Sequence, residues 1–256
     1  MEEGDTYRRR DGYPMKFWAH RGCSQRYPEN TLTAFEKAAE LHKHGLTGIE
    51  LDIQLTKDQQ MVICHDERVD RTTDGIGNIR DFTLQELSCL HIATGTPKAE
   101  HIPTVEEVFD LLAPYIRDGL QVNIEIKNNV YHYPGIEQKI VEFIQNRGIE
   151  EKIVYSSFYT KTLEIVQKLS PNAKLGVLDL NSSDCLFKQK NFPGAAIHPF
   201  WRAMDRTGEE LTGQIVRAWF SGHLYPEKPT GTKLDLSKLE AQGITDIFIN
   251  EPEAYV

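Results

Sequence analysis

The chain has 256 residues and carries 38 acidic against 29 basic side chains, a formal net charge of −9. This excess of negative charge argues against nucleic acid as a partner, because its phosphates would be repelled. No apolar stretch approaches membrane-spanning length, and the four cysteines lack the paired spacing of a metal site, so we expect a cytoplasmic protein with free thiols and no membrane span.

The N-terminal stretch, residues 1–14, is charged and precedes the first apolar run. Its Arg8-Arg9-Arg10 segment is not followed by an apolar stretch, so it does not read as a secretory signal, and Met15 is an alternative start. We expect residues 1–14 to be a disordered extension and residues 15–256 to form one domain.

Two short apolar runs each lead into a histidine. Lys16 to Ala19 precedes His20, and Met61 to Cys64 precedes His65. A histidine can take or give a proton near neutral pH, so a pair can serve the nucleophile and the leaving alkoxide in phosphodiester cleavage. We predict that His20 and His65 form such an acid/base pair. For the other histidines a structural role is the simpler interpretation: His42, His44, His91, His132 and His223, with His101 and His198 left open.

Asn30 follows Pro28-Glu29 and precedes a predicted helix that begins at Thr31. Asparagine is a favoured N-cap residue, so Asn30 is a candidate cap. Its amide is equally a candidate for orienting a catalytic group. The two roles are compatible, and the sequence leaves both open.

Alternating carboxylates mark two predicted strands. Gly48 to Leu55 sends Glu50 and Asp52 to one face, together with Gln54, and Gln121 to Lys127 repeats the pattern with Glu125. Carboxylates gathered without cysteine are hard oxygen ligands that suit Mg²⁺ or Ca²⁺. We predict that Glu50, Asp52 and Glu125 hold one divalent cation. The alternative is that they are ordinary surface residues on strands with one wet face.

Two basic residues lie beside these candidates. Arg21 directly follows His20, and Lys127 lies two positions beyond Glu125. A guanidinium fork matches phosphate oxygens, and an ammonium beside a metal site neutralises developing charge. We predict that both bind phosphate, the alternative being that they only pair with the carboxylates. Nearby, the thiols of Cys23 and Cys64 offer a less favoured nucleophile, and the turn-rich loop 71–77 is assigned no chemistry.

Along the whole chain, apolar runs alternate with amphipathic stretches, which predicts an α/β fold, a (β/α)8 TIM barrel with a short insertion after the second strand. The insertion is expected at about residues 81–103, and Met61 to His65 is an extra strand-like piece. Little room remains for a sixth helical segment between Pro199 and Gln214. The eight strands are predicted at Phe17 to His20, Gly48 to Leu55, Gln121 to Lys127, Ile153 to Ser156, Lys174 to Leu178, Ala195 to His198, Ile215 to Phe220 and Asp246 to Ile249. Helices are predicted at Thr31 to His44, Gly135 to Arg147, Tyr159 to Leu169 and Asp235 to Gln242.

These motifs, in their order, resemble those of the glycerophosphodiester phosphodiesterase family, and the match runs through nearly the whole chain. The motifs are Ala19-His20-Arg21-Gly22, Pro28-Glu29-Asn30-Thr31, Glu50-Leu51-Asp52, Thr56-Lys57-Asp58, His65-Asp66, Arg71-Thr72-Thr73-Asp74-Gly75, Ile102-Pro103-Thr104-Val105-Glu106-Glu107, Asn123-Ile124-Glu125-Ile126-Lys127, Ser157-Phe158 and the closing Gly243 to Pro252.

The resemblance implies one divalent cation on the three predicted carboxylates and acid/base catalysis by the two predicted histidines. It also implies phosphate binding by Arg21 and Lys127. The substrate would be a small glycerophosphodiester. Its neighbouring glycerol hydroxyl would attack to give a cyclic phosphate, which water opens to glycerol phosphate after the alcohol has left.

The C-terminal part departs from the family pattern. Relatives carry threonine, valine and asparagine after a tryptophan, and end in threonine-aspartate-x-proline, where this chain has Trp219-Phe220-Ser221-Gly222 and Ile249-Asn250-Glu251-Pro252. Trp219 keeps its place and packs either against the glycerol or against the rim. A long Pro- and Gly-rich loop, Gly222 to Lys233, adds to the expectation that specificity differs from that of typical relatives.

Two other classes of function stay open at this stage. One is a phospholipase D-like enzyme of the sphingomyelinase D type, acting on lysophospholipids through a similar two-histidine metal site. The other is a noncatalytic binding protein on the same scaffold, which the presence of every proposed catalytic residue disfavours. The sequence sets neither the oligomeric state nor the choice between Mg²⁺ and Ca²⁺.

Overall fold

The computed structural model describes residues 15–92, 99–220 and 234–256. Its strands are β1 Lys16–His20, β2 Gly48–Leu55, β3 Met61–Ile63, β4 Gln121–Ile126, β5 Ile153–Ser157, β6 Lys174–Asp179, β7 Ala196–Pro199, β8 Arg217–Trp219 and β9 Asp246–Ile249. Eight of them form a parallel sheet in the order β7-β6-β5-β4-β2-β1-β9-β8, and isolated parallel bridges Ile197↔Val216 and Phe200↔Trp219 join β7 to β8. The short β3 pairs antiparallel with β2.

This nearly closed barrel confirms the predicted (β/α)8 fold, and each predicted strand is found with ends that differ by at most two residues. The described helices are α1 Leu32–Glu40, α2 Leu84–Leu87, α3 Val105–Asp118, α4 Ile136–Arg147, α5 Thr160–Leu169, α6 Ser182–Gln189 and α7 Leu236–Ala241. Helix α3 begins with a capping box, in which the Thr104 hydroxyl accepts from the Glu107 amide and the Glu107 carboxylate accepts from the Thr104 amide. Helices α2, α3 and α6 are not among the helices predicted from the sequence.

Strand register decides which side chains meet inside the barrel. His20 of β1 lies opposite Glu50 of β2, and Asp52 of β2 lies opposite Glu125 of β4. Successive side chains alternate between the two faces of a strand, so the apolar partners Ile49, Leu51 and Ile53 point outwards and pack under the helices. The polar residues of both strands are thereby gathered inside the barrel.

A second set of inward residues fills the barrel away from these carboxylates. Trp18, Val154 and Phe248 form an apolar plug. Beside it the Asp246 carboxylate accepts from the Trp18 indole at 3.1 Å and from Arg217 Nε at 3.3 Å. Asp246 thereby ties Trp18 to Arg217, and we call this inner layer the floor of the barrel.

His198, left open by the sequence, belongs to this floor. It is fully buried, its ring lies edge-on to Phe248, and Arg217 NH1 approaches its Nε2 at 3.5 Å. A Cβ at Gly176 would lie 2.1 Å from the imidazole, so glycine is required there for the ring to fit. His198 therefore has a packing role in the barrel.

Between β2 and α3 the chain makes an excursion that is longer than the insertion predicted at 81–103. It begins at Thr56, includes β3 and α2, and has its own apolar cluster around Val62, Val69 and Ile79. Because β3 pairs with β2, the excursion is joined to the barrel directly beside the acidic residues. The part of the prediction that covers residues 93–98 lies outside the described residues.

The predicted shortening of the sixth helical segment is confirmed. Between β7 and β8 the chain forms one 3₁₀ turn, Trp201–Ala203, and irregular turns in place of an α-helix. The predictions for residues 1–14, for His223 and for the whole loop Gly222 to Lys233 lie outside the described residues. In the described part of the chain, every helix is too short or too polar to cross a bilayer.

Candidate active site

Three carboxylates of β2 and β4 converge inside the barrel. Glu50, Asp52 and Glu125 each offer one oxygen, and these oxygens lie within 4.8 Å of one another. The arrangement follows from the sequence, because a spacing of two residues keeps Glu50 and Asp52 on one face and the parallel register brings Glu125 beside Asp52. The structure thus brings together the three residues predicted to hold a metal.

The chemistry of this cluster fits a hard divalent cation. The three residues are only 0 to 9 % exposed, and they present oxygen donors alone. Within the described part of the chain, Asp52 Oδ1 and the neighbouring Asn30 Oδ1 are buried without a hydrogen-bond partner. Buried oxygens of this kind are costly unless something binds them, and a cation held by the trio would satisfy Asp52 Oδ1.

The pKa values of the carboxylates also favour a bound cation. Burial, followed by the charges of Asp52 and Glu125, raises the pKa of Glu50 well above its ordinary value. Burial acts on Asp52 in the same direction, but the charges of His65, Arg21 and Lys127 outweigh it and hold the pKa of Asp52 below its usual range. Mutual repulsion within the trio is what a bound cation would relieve.

Arg21 and Lys127 both reach this cluster. Lys127 Nζ lies 2.9 Å from Glu125 Oε1 and 3.8 Å from Asp52 Oδ1, while Arg21 Nε lies 3.5 Å from Asp52 Oδ2. Both side chains are at least nine-tenths buried. They pair with the carboxylates, as the alternative interpretation held, and their binding to a phosphate group stays a prediction.

His20 lies at the end of β1 with its two ring nitrogens in different settings. Nδ1 lies 2.7 Å from Asn250 Oδ1, and because an amide oxygen can only accept, Nδ1 carries the proton and donates it. Nε2, 3.9 Å from Glu50 Oε2, is left as the basic nitrogen. Burial, followed by the charge of Arg21, lowers the pKa of His20 to about 3, so the imidazole is neutral at neutral pH.

His65 follows β3 in the excursion and is partly exposed. Its Nδ1 donates to Asp66 Oδ1 at 2.7 Å, which again directs Nε2 away from the partner. The loop backbone is held by Gln54, whose amide donates to Cys64 O at 2.8 Å and to Asp66 O at 2.7 Å. Gln54 shares the face of Glu50 and Asp52, and sequence reasoning assigned it no role.

Asn30 does not cap the helix. The N-cap of α1 is Thr31, whose hydroxyl accepts from the Ala34 amide. The capping interpretation was therefore wrong by one position. The Asn30 amide instead donates to Asp52 Oδ2 at 3.0 Å, and its backbone is left-handed with φ of 58°. Asparagine tolerates that conformation better than most residues, so it both fits the turn and orients a carboxylate.

Trp219 ends β8 and is half-buried at the rim. It stacks on Phe200 with ring centroids 4.6 Å apart and meets Phe158 edge-on at 6.2 Å. Its indole also donates to Asp179 O at 3.4 Å. These contacts are those of rim packing, and contact with a glycerol group stays a prediction.

A thiol nucleophile is disfavoured by the surroundings of the two cysteines. Cys23 and Cys64 are both buried and free. Burial, followed by neighbouring acidic groups, raises the pKa of both thiols. The thiolate is the reactive form, so neither sulfur is activated.

Comparison with known proteins places the chain. Residues 20–183 match the model of the glycerophosphoryl diester phosphodiesterase family. The chain belongs to this family. It is 49 % identical over 243 residues to a protein named glycerophosphodiester phosphodiesterase from Caldanaerobacter subterraneus subsp. tengcongensis, covering 93 % of this chain and 95 % of the relative. A Bacillus altitudinis protein of the same name is 36 % identical over 248 residues, covering 94 % and 96 %.

Solved structures of the family share the fold. An Oleispira antarctica phosphodiesterase in complex with the product sn-glycerol-3-phosphate superimposes with a TM-score of 0.71 at 25 % identity, covering 94 % of each chain. A glycerophosphodiester phosphodiesterase from Thermotoga maritima gives a TM-score of 0.68 at 23 % identity, covering 95 % of this chain and 97 % of that one. Family members of this kind therefore share the barrel along almost the whole chain.

Proposed function

We propose that the chain is a metal-dependent hydrolase that cleaves glycerophosphodiesters to glycerol phosphate and an alcohol. The observation that carries this proposal is the convergence of Glu50, Asp52 and Glu125 near the two histidines and the buried, positively charged side chains of Arg21 and Lys127. Membership of the glycerophosphoryl diester phosphodiesterase family and the names of the relatives support the same reaction. One divalent cation, Mg²⁺ or Ca²⁺, would be held by the three carboxylates.

His20 is proposed as the general base. It stays neutral at neutral pH, and its Nδ1 is engaged by Asn250, so Nε2 is the atom that accepts a proton. The glycerol hydroxyl next to the phosphate would lose its proton to this nitrogen and attack phosphorus, forming a cyclic phosphate. When bound, the cation supplies Lewis-acid activation of the hydroxyl and of a phosphoryl oxygen.

His65 is proposed as the general acid. Its Nδ1 hydrogen bond to Asp66 fixes the ring, and the imidazolium form of His65 would transfer its Nε2 proton to the alkoxide of the leaving alcohol, which leaves the ring neutral. The two histidines would then exchange roles as water opens the cyclic phosphate. Arg21 and Lys127 would bind the phosphoryl oxygens and hold the charge that develops on them.

The test is hydrolysis of a panel containing glycerophosphocholine, a lysophospholipid and sphingomyelin by the wild-type chain and by His20→Ala and His65→Ala. We expect release of glycerol phosphate from glycerophosphocholine by the wild type, and a rate lower by a factor of about 10² to 10⁴ in each variant, since each removes one proton-transfer group. His132→Ala, at an exposed histidine, is the control.

Each result bears on a different part of the proposal. Retained activity in either variant would remove the acid/base assignment. Turnover confined to the lysophospholipid or sphingomyelin would replace the proposed substrate with that of the phospholipase D-like class. Binding of glycerophosphocholine without turnover would favour a noncatalytic protein.

A further inference from the structure

Arg71 lies in the loop that sequence reasoning assigned no chemistry, and it bridges two parts of the site. Its guanidinium donates to both oxygens of Glu29, with NH2 2.8 Å from Oε1. The same group donates to both oxygens of Asp66, with Nε 2.7 Å from Oδ2 and NH2 3.1 Å from Oδ1. One side chain thus makes two bidentate contacts with carboxylates that belong to different segments.

Each of these two carboxylates also accepts a hydrogen bond from a residue to which we assign a role in hydrolysis. Glu29 Oε1 accepts from Arg21 NH1 at 2.8 Å, and Asp66 Oδ1 accepts from His65 Nδ1 at 2.7 Å. A continuous series of hydrogen bonds and ion pairs therefore runs from His65 through Arg71 to Arg21. It ends at Asp52 Oδ2, 3.5 Å from Arg21 Nε.

The charges along this series explain why a second guanidinium is needed. Glu29 is 6 % exposed, and a buried carboxylate that faced Arg21 alone would draw that guanidinium away from Asp52. Burial raises the pKa of Glu29, but hydrogen bonds from Arg71 and the charge of Arg21 outweigh it and keep the carboxyl ionised. With Arg71 sharing Glu29, the charge of Arg21 stays available to the phosphate.

We propose that Arg71 is a positioning residue that couples the His65 loop to Arg21, through Asp66 on one side and Glu29 on the other. This inference rests on the proposed function, because it assigns Arg71 to the alignment of the proposed acid and the proposed phosphate ligand. Only the guanidinium fork can serve both carboxylates in this way, since lysine carries a point charge without the planar set of donors.

The experiment compares Arg71→Ala, Arg71→Lys and Arg68→Ala in steady-state hydrolysis of glycerophosphocholine. Arg68 is the matched control, because it lies in the same excursion and pairs with the exposed Asp70. For Arg71→Ala we expect kcat/KM to fall about 100-fold, with a lower kcat because His65 is displaced and a higher KM because Arg21 is displaced. Arg71→Lys should recover only part of this loss, and added guanidinium ion should restore part of the activity of Arg71→Ala.

Glu29→Gln provides a second measurement that stands even if Arg71→Ala folds poorly. The change removes the charge that Arg71 and Arg21 share, so Glu29→Gln alone should lower kcat/KM. Where Arg71→Ala folds, the double variant should be no slower than the slower single variant. Additive losses, no rescue by guanidinium, or an effect on the melting temperature with unchanged kcat and KM would overturn the coupling. An inactive wild type would instead refute the proposed function, and the two failures are therefore distinct.

Discussion

At the scale of single residues, the site depends on two side chains held in an unusual backbone conformation. Arg21 and Asn30 both have φ of 58°, in the left-handed region, and the backbone N–H of Asn30 donates to the backbone carbonyl of Arg21 at 3.0 Å. Non-glycine residues in this region cost free energy and persist where the surroundings impose them. The turn presents Arg21 and Asn30 together to Asp52. The sequence revealed the residue types but not this conformation, since neither composition nor spacing encodes φ.

Asn30 allows backbone strain and carboxylate orientation to be separated. Asn30→Gly removes the hydrogen bond to Asp52 and keeps the left-handed backbone. Asn30→Ala also removes this hydrogen bond, and in addition it strains the backbone, because alanine rarely adopts a positive φ. We expect both variants to lose activity about 10- to 100-fold, and only Asn30→Ala to lose about 1 kcal/mol of unfolding free energy. Kinetics and urea unfolding check the two effects.

Gln59→Gly is the control for this pair. Gln59 also has a positive φ, 64°, and lies exposed in a turn away from the carboxylates. Its replacement by glycine should leave activity unchanged. If Asn30→Gly were as active as the wild type, the hydrogen bond to Asp52 would have no role in catalysis.

At the scale of elements, β2 organises most of the site. The alternation of polar and apolar residues along β2 is visible in the sequence, and it predicts that Glu50 and Asp52 are neighbours on one face. The third inward residue, Gln54, holds the backbone of the loop that carries His65, and Tyr133 donates to Gln54 Oε1 at 2.9 Å. This contact joins three segments distant in sequence, so no local pattern predicts it.

We expect Gln54→Leu to lower kcat without changing cation affinity, because it frees the His65 loop and leaves the three carboxylates in place. The size of the loss should be about 10- to 100-fold, typical of residues that hold catalytic groups in position. Tyr133→Phe, which removes one hydrogen bond to Gln54, is the milder companion variant. Kinetics together with calorimetric titration of Mg²⁺ would measure both quantities, and a weaker cation affinity with normal kcat would contradict the assignment.

In the molecule as a whole, the polar site and the floor are two separate groups of side chains inside the barrel. The eight strands and the acidic trio were predictable because each strand has its own apolar run. The short helices α2 and α6 were not, because four and eight residues carry little periodicity. The bridges made by Arg71 and Gln54 depend on the folded excursion and appear only in three dimensions.

The buried His198 in the floor of the barrel should make the stability of the fold depend on pH. Burial, followed by the charge of Arg217, lowers the pKa of His198 well below its ordinary value near 6.5. As pH falls below that value the unfolded chain takes up this proton and the folded chain does not, so stability decreases with falling pH. Between pH 6 and 5 the free energy of unfolding of His198→Asn should therefore fall less steeply than that of the wild type. The slope should be smaller by about 1.4 kcal/mol per pH unit.

Denaturant unfolding of the wild type and His198→Asn across this range tests the expectation. His132→Asn controls for the loss of one histidine at an exposed position. Equal slopes for the wild type and His198→Asn would show that the buried ring takes up a proton in the folded chain as readily as in the unfolded one.

In the proposed mechanism, hydrolysis depends on a cation that Glu50, Asp52 and Glu125 hold together. The rate of glycerophosphocholine hydrolysis should be measured after chelation and after stepwise return of Mg²⁺ or Ca²⁺, in the wild type and in Glu125→Gln. We expect chelation to abolish turnover, the cation to restore it, and Glu125→Gln to need about 10- to 100-fold more cation. Full activity of the metal-free wild type, or the same cation requirement in both proteins, would contradict this mechanism.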